Sequence, residues 1–88
     1  MQLARVVGTV VATRKDPGLS GHTLLLLAPV TPDGQASGRP IVAVDSVGAG
    51  PGEAVFFARG REASFPFLPE QVPTDASVIG IVDHWSSD

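Results

Sequence analysis

The chain is predicted to be all-β, a small five-stranded barrel with at most one short helical turn. Three observations predict it. Five short apolar stretches are separated by turns rich in Gly and Pro. The first of them places small side chains on one face, as the inside of a tight barrel requires. The second holds four consecutive leucines, Leu24 to Leu27, which a strand must divide between two faces.

The first strand is expected over Gln2 to Thr13. Strict alternation would put Ala4, Val6, Gly8, Val10 and Ala12 on the inner face, with Leu3, Arg5, Val7, Thr9, Val11 and Thr13 outside. Gly8, in mid-strand, allows the bend that closure needs. Arg14 to Gly21 follows as a loop with a turn at Pro17-Gly18, where Arg14 and Lys15 form either a solvated tip or a contact to a neighbouring subunit. His22, alone at a strand start, reads as a surface residue rather than a ligand.

Thr23 to Ala28 is the second strand, and the leucines require both its faces to be covered, one by the barrel and one by another element or another subunit. Pro29 to Pro40, with Pro32-Asp33-Gly34 and Gly38, reads as a hairpin connection. Arg39 to Asp45 and Glu53 to Arg59 are the third and fourth strands. Arg61 to Ser64 is the candidate helical turn, and Phe65 to Pro73, with three prolines, is an irregular apolar covering segment. Thr74 and Asp75 form a turn before the last strand, Ser77 to Asp83. The pattern fits a barrel of OB-like kind. One domain is expected over 1–83, followed by a short tail over 84–88 that carries Trp85.

The segment Asp45-Ser46-Val47-Gly48-Ala49-Gly50-Pro51-Gly52-Glu53 links the third and fourth strands, and its three glycines and one proline give it a built shape. It is not a nucleotide loop. A P-loop ends in Gly-Lys-Ser or Gly-Lys-Thr before a helix, whereas Gly52 is followed by Glu53 and a strand. A dinucleotide fingerprint places glycines first, third and sixth, and here they stand at 48, 50 and 52. The bracketing carboxylates Asp45 and Glu53 are expected to anchor the loop by accepting its backbone N–H groups, rather than to act as an acid/base couple.

Composition narrows the function. In 88 residues, 43% are hydrophobic and 17% charged, with a mean hydropathy of +0.23. A domain of this size buries only about 60–65% of its unfolded surface, so some of its Val, Leu and Ile residues must lie outside, where oligomerisation covers them. The net charge of −3 and the six scattered basic residues argue against nucleic acid, whose binding rests on clustered Lys and Arg. There is no cysteine for a disulfide or a thiolate metal site. The opening Met1-Gln2-Leu3-Ala4-Arg5 lacks the pattern of a signal peptide, and no apolar run approaches the ~20 residues of a membrane span. Neither a nucleophile with its base nor a metal-ligand spacing is visible, so no enzyme activity, cofactor or metal is expected.

Four motifs carry a resemblance. Arg5-Val6-Val7-Gly8-Thr9-Val10-Val11-Ala12-Thr13-Arg14-Lys15, then Leu24 to Leu27, then Ala43-Val44-Asp45-Ser46-Val47-Gly48-Ala49-Gly50-Pro51-Gly52-Glu53, then Asp75-Ala76-Ser77-Val78-Ile79-Gly80-Ile81-Val82-Asp83 stand in the order and spacing of bacterial microcompartment vertex proteins. The chain thus resembles the EutN/CcmL family from Met1 to about Asp83. The resemblance implies a homopentamer that caps the five-fold vertices of a microcompartment shell in the bacterial cytoplasm, packed against hexameric shell proteins and without catalysis of its own. It further implies that Thr13, Arg14 and Lys15, together with Gly48, Ala49, Gly50, Pro51, Gly52 and Glu53, lie at the pentamer rim and meet the adjoining hexamers, the alternative being that the glycine loop packs within the pentamer as a subunit interface; Asp45 is the loop anchor expected from the residues themselves. An OB-like binding or protein-interaction module outside any shell is the alternative. The chain departs from the family pattern at Gly60-Arg61-Glu62-Ala63-Ser64 and through 65–73, which bears on the partner that edge accepts.

Overall fold

In the computed structural model, which describes residues 2–11, 17–19, 21–68 and 74–83, five strands close into a barrel. They are β1 (Gln2–Val10), β2 (Leu24–Pro29), β3 (Ile41–Asp45), β4 (Ala54–Arg59) and β5 (Ala76–Val82). Around the barrel the order is β1-β2-β3-β5-β4 and back to β1. Every pairing is antiparallel except β3 with β5, which runs parallel through Val44 opposite Ser77 and Asp45 opposite Val78.

Inside, Ala4 and Val6 of β1 meet Leu25 and Leu27 of β2, Ala43 of β3, Val55 and Phe57 of β4, and Ala76 and Val78 of β5. The expected division of the leucines is present: Leu25 and Leu27 are fully buried, while Leu24 and Leu26 face outward and are half-buried. Each fully buried Leu, Val or Phe side chain contributes about 1.5–3 kcal/mol. With a core this small, each of them matters to whether the chain folds at all.

The inner and outer faces of β1 differ from strict alternation. Val6 stands opposite Leu27, but Gly8 stands opposite Leu26 and Val10 opposite Leu24, because a β-bulge between Val6 and Gly8 adds one residue to β1. One extra residue moves everything after it to the other face. Gly8 and Val10 therefore lie on the outer side, with Leu24 and Leu26; Ala4 and Val6 keep the inward position expected of them, and Ala12 and Thr13 lie outside the described residues. A second bulge, at Phe56 and Phe57 against Gly80 and Val78, bends the β4–β5 pair.

The connections are tight. Pro17–Leu19 is a single 3₁₀ turn closed by the N–H of His22 on the Leu19 carbonyl, 3.0 Å away. Between β2 and β3 the expected hairpin forms, with a bridge between Val30 and Ala36 and a turn whose Gly34 N–H donates to the Thr31 carbonyl at 2.8 Å. The helical turn expected over Arg61 to Ser64 is longer, a 3₁₀ segment over Gly60–Phe67 that packs on β4 and β5 and buries Ala63. Its start is a glycine at φ +73°, and its Phe67 ring meets the His22 ring edge-on, with centroids 5.0 Å apart. On β5, Ser77 lies opposite Ala58 and Val44, on the outward side that this segment covers, and its hydroxyl is buried with no hydrogen-bond partner among the described residues. The covering segment expected over Phe65 to Pro73 lies within the described residues only as far as Leu68.

Candidate functional site

Because β5 lies between β3 and β4, the glycine loop is not a hairpin turn. It must cross two strand spacings at the end of the barrel, roughly 10 Å at about 4.8 Å each. That crossing explains its composition. Ala49, at its middle, is buried and joins the core cluster, so the loop closes the barrel end with a methyl group.

Each end of the loop is held by a carboxylate. Asp45 Oδ1 accepts the N–H of Val47 at 3.0 Å, an Asx-type turn, while its own N–H donates to the Thr23 carbonyl at 2.9 Å. Ser46 ties the same end to β5, donating its hydroxyl to the Val78 carbonyl at 2.5 Å. At the other end, Glu53 Oε1 accepts the N–H of Gly50 at 2.6 Å, and the Glu53 N–H donates back to the Gly50 carbonyl at 3.1 Å. Gly50 to Glu53 thus makes a type II turn, with Pro51 in the second place and Gly52, at φ +90°, in the third.

The turn is strapped to β1. Gly52 N–H donates to the Val6 carbonyl at 2.7 Å, Val6 N–H donates to the Glu53 carbonyl at 2.9 Å, and Arg5 Nη1 donates to the Gly52 carbonyl at 2.8 Å. Arg5, on β1, is the contact to the loop that strand periodicity does not reveal. Its partner lies 47 positions away, and the hint in the sequence is that Arg5 is the one charged residue of β1. Beside it opens a shallow depression of about 330 Å³, lined by Arg5, Gly52, Glu53, Ala54, Ile81, Val82 and Asp83.

The predicted residues therefore fall into two sets. Asp45 and the Gly48 to Glu53 segment come together at one barrel end as a single hydrogen-bonded unit, whose tip residues Gly48, Pro51 and Gly52 are exposed. Thr13, Arg14 and Lys15 lie outside the described residues. Both bracketing carboxylates take backbone N–H groups, which is an anchoring arrangement. Among the described residues no group of three His, Asp or Glu side chains is arranged to hold a metal ion.

A closed barrel with exposed apolar side chains and a hydrogen-bonded loop strapped to β1 at one end defines the class, a small β-barrel protein. The chain belongs to the EutN/CcmL family: the model of the ethanolamine utilisation protein EutN/carboxysome family matches residues 1–83. It is 47% identical over 87 residues to the bacterial microcompartment shell vertex protein PduN of Salmonella typhimurium, covering 94% of this chain and 96% of that one. To the carboxysome shell vertex protein CcmL of Gloeobacter violaceus it is 46% identical over 88 residues, with 100% and 88% covered. Among solved structures, the pentameric microcompartment shell protein GrpN of Rhodospirillum rubrum superposes with a TM-score of 0.89 at 41% identity and 100% coverage of both chains. An ethanolamine utilization protein EutN superposes with a TM-score of 0.91 at 40% identity, covering 99% of this chain and 91% of that one.

Proposed function

We propose that this chain is a structural shell subunit, a homopentamer that caps the five-fold vertices of a bacterial microcompartment and packs against hexameric shell proteins. The observation that carries the reading is the end-to-end match to the pentameric shell protein GrpN, in which neither chain has an unmatched domain. The apolar exterior supports it, since a ring buries two different patches on every subunit.

In this reading residues 1–83 form the one working domain and 84–88 a short tail. Thr13, Arg14 and Lys15, with Gly48 to Glu53, form the rim that meets the hexamers, and Asp45 holds the loop in shape for that contact. The work is mechanical rather than catalytic, and its place is the shell inside the bacterial cytoplasm. A rigid loop suits the task, because a rim that is already ordered loses little conformational entropy on docking.

Light scattering over a range of concentrations is expected to give a species of five chains. Co-expression with hexameric shell proteins is expected to give closed polyhedral particles by electron microscopy, and open or elongated assemblies when this chain is omitted. A folded monomer at all concentrations, or particles that close equally well without the chain, would overturn the proposal.

A further inference from the structure

The connection between β2 and β3 turns at Thr31-Pro32-Asp33-Gly34, and Asp33-Gly34 is the one Asp-Gly step in the chain. Such a step has a reactivity of its own. The main-chain nitrogen of the glycine can attack Cγ of the aspartate, because the glycine has no side chain to hinder the approach. A C–N bond forms, one carboxyl oxygen leaves as water, and a five-membered succinimide results. Water then reopens the ring. Addition at Cγ restores aspartate, whereas addition at the main-chain carbonyl carbon leaves isoaspartate, whose backbone runs through Cβ and Cγ. One water leaves and one returns, so mass and charge are unchanged and no other reactant is needed.

Both reacting residues are exposed, and both are held by one neighbour. Gly34 N–H donates to the Thr31 carbonyl at 2.8 Å, while the Thr31 hydroxyl donates to Asp33 Oδ1. The same hydroxyl accepts the Gln35 N–H at 3.2 Å, and Thr31 N–H donates to the Gln35 carbonyl at 2.9 Å. Thr31 thus engages the nucleophile with one oxygen and the electrophile with the other. The turn itself sits beyond the single Val30–Ala36 bridge, on exposed backbone of the kind that opens locally at low cost.

We infer that Asp33 is a site of spontaneous isomerisation to isoaspartate and that Thr31 is its brake, so that the reaction runs through openings of this turn. The inference is independent of the shell reading. Its product lengthens the main chain by one atom in the connection between β2 and β3.

The full chain, incubated near neutral pH, is compared with the same chain unfolded in guanidinium chloride. Peptide mapping with electron-transfer fragmentation locates isoaspartate, because it cleaves the additional main-chain bond. Isoaspartate is expected at position 33 in the folded protein, formed about tenfold more slowly than in the unfolded chain, as befits a reaction that must first break hydrogen bonds of ordinary net strength. Thr31→Val keeps the side-chain shape and loses the hydroxyl, so it should speed the folded reaction several-fold; Thr31→Ser keeps the hydroxyl and should react at the wild-type rate. A Thr31→Val chain without a cooperative melt is replaced by Thr31→Ala and read in the same way. Gly34 stands at φ +87°, where alanine would strain the turn, so the control is Asp33→Glu, whose larger ring closes slowly and which should abolish the signal at position 33. A folded chain that forms no isoaspartate there while the unfolded one does would overturn the site. Equal rates in the folded and unfolded chains, or a folded Thr31→Val that reacts no faster than wild type, would overturn the brake.

Discussion

Replacing Gly52 by alanine is predicted to weaken the chain through its backbone alone. At φ +90° Gly52 occupies the third place of the type II turn, and a methyl group built there meets no atom within 4 Å. No steric clash contributes, so the effect is the penalty of holding an L-residue at positive φ, about 1–2 kcal/mol. The same holds for Gly48, at φ +79° and equally open. Gly50 is the internal control. Its φ is not positive, and a methyl group there stands 3.6 Å from Glu53 Oε1, an ordinary contact. Gly50→Ala restricts the unfolded chain without straining the folded one, so it is predicted to be neutral or stabilising by up to about 1 kcal/mol. Urea or thermal unfolding at one fixed chain concentration measures all three, because assembly makes apparent stability depend on concentration. At about 4–8 °C per kcal/mol for a domain of this size, Gly52→Ala should melt roughly 4–16 °C below the wild type. Gly52→Asn, which tolerates the left-handed region better, should recover part of the loss. Equal losses for Gly50→Ala and Gly52→Ala would refute the argument, since mere removal of glycine would then be the cause.

The remaining predictions concern single contacts. Ser77→Ala should raise stability by about 1 kcal/mol in the same unfolding assay, because it removes a buried hydroxyl that has no partner among the described residues. Glu53→Ala should lower it by about 1 kcal/mol through loss of the Gly50 N–H acceptor, and Glu53→Gln, which keeps an acceptor oxygen, should lose less. Leu25→Ala, inside the barrel, should cost about 2–5 kcal/mol and leave little folded protein. Charge reversal at Arg14 and Lys15 should leave the five-chain mass unchanged while shells fail to close under electron microscopy; loss of the five-chain species would move these residues from the rim to the subunit contact.

The local chemistry of the chain is visible in its residues, and its long-range geometry is not. Four leucines in a row state that β2 has two covered faces, and the structure places Leu25 and Leu27 on one and Leu24 and Leu26 on the other. Pro51-Gly52 between carboxylates announces a shaped turn, because the backbone preferences that make it are local. The bulge at Val7 escapes notice because nothing in Val6-Val7-Gly8 says which residue will be left unpaired; that depends on the register of Leu26 and Leu27 on β2. Position 7 therefore inverts the assignment of Gly8 and Val10. The parallel β3–β5 pair is hidden for the same reason, and with it the fact that the loop spans a barrel end. Arg5 illustrates the last kind of gap: its value lies in reaching the Gly52 carbonyl, which only barrel closure brings near.

Closure of the barrel by β3 against β5 decides how such an apolar chain can grow. Each strand has a neighbour on both sides, although the β3–β5 ladder spans only two residue pairs, so among the described residues the stretches of free edge open to a strand from another molecule are short. Edge pairing repeats by translation and has no natural stopping point, which is how fibres form. With that route shortened, copies in the proposed ring meet through side-chain surfaces of fixed shape, whose angle returns to its starting point after a set number of copies. In the proposed pentamer, finite size is in this way partly a property of the hydrogen-bond ladder: a sheet that closes on itself favours an assembly that does the same.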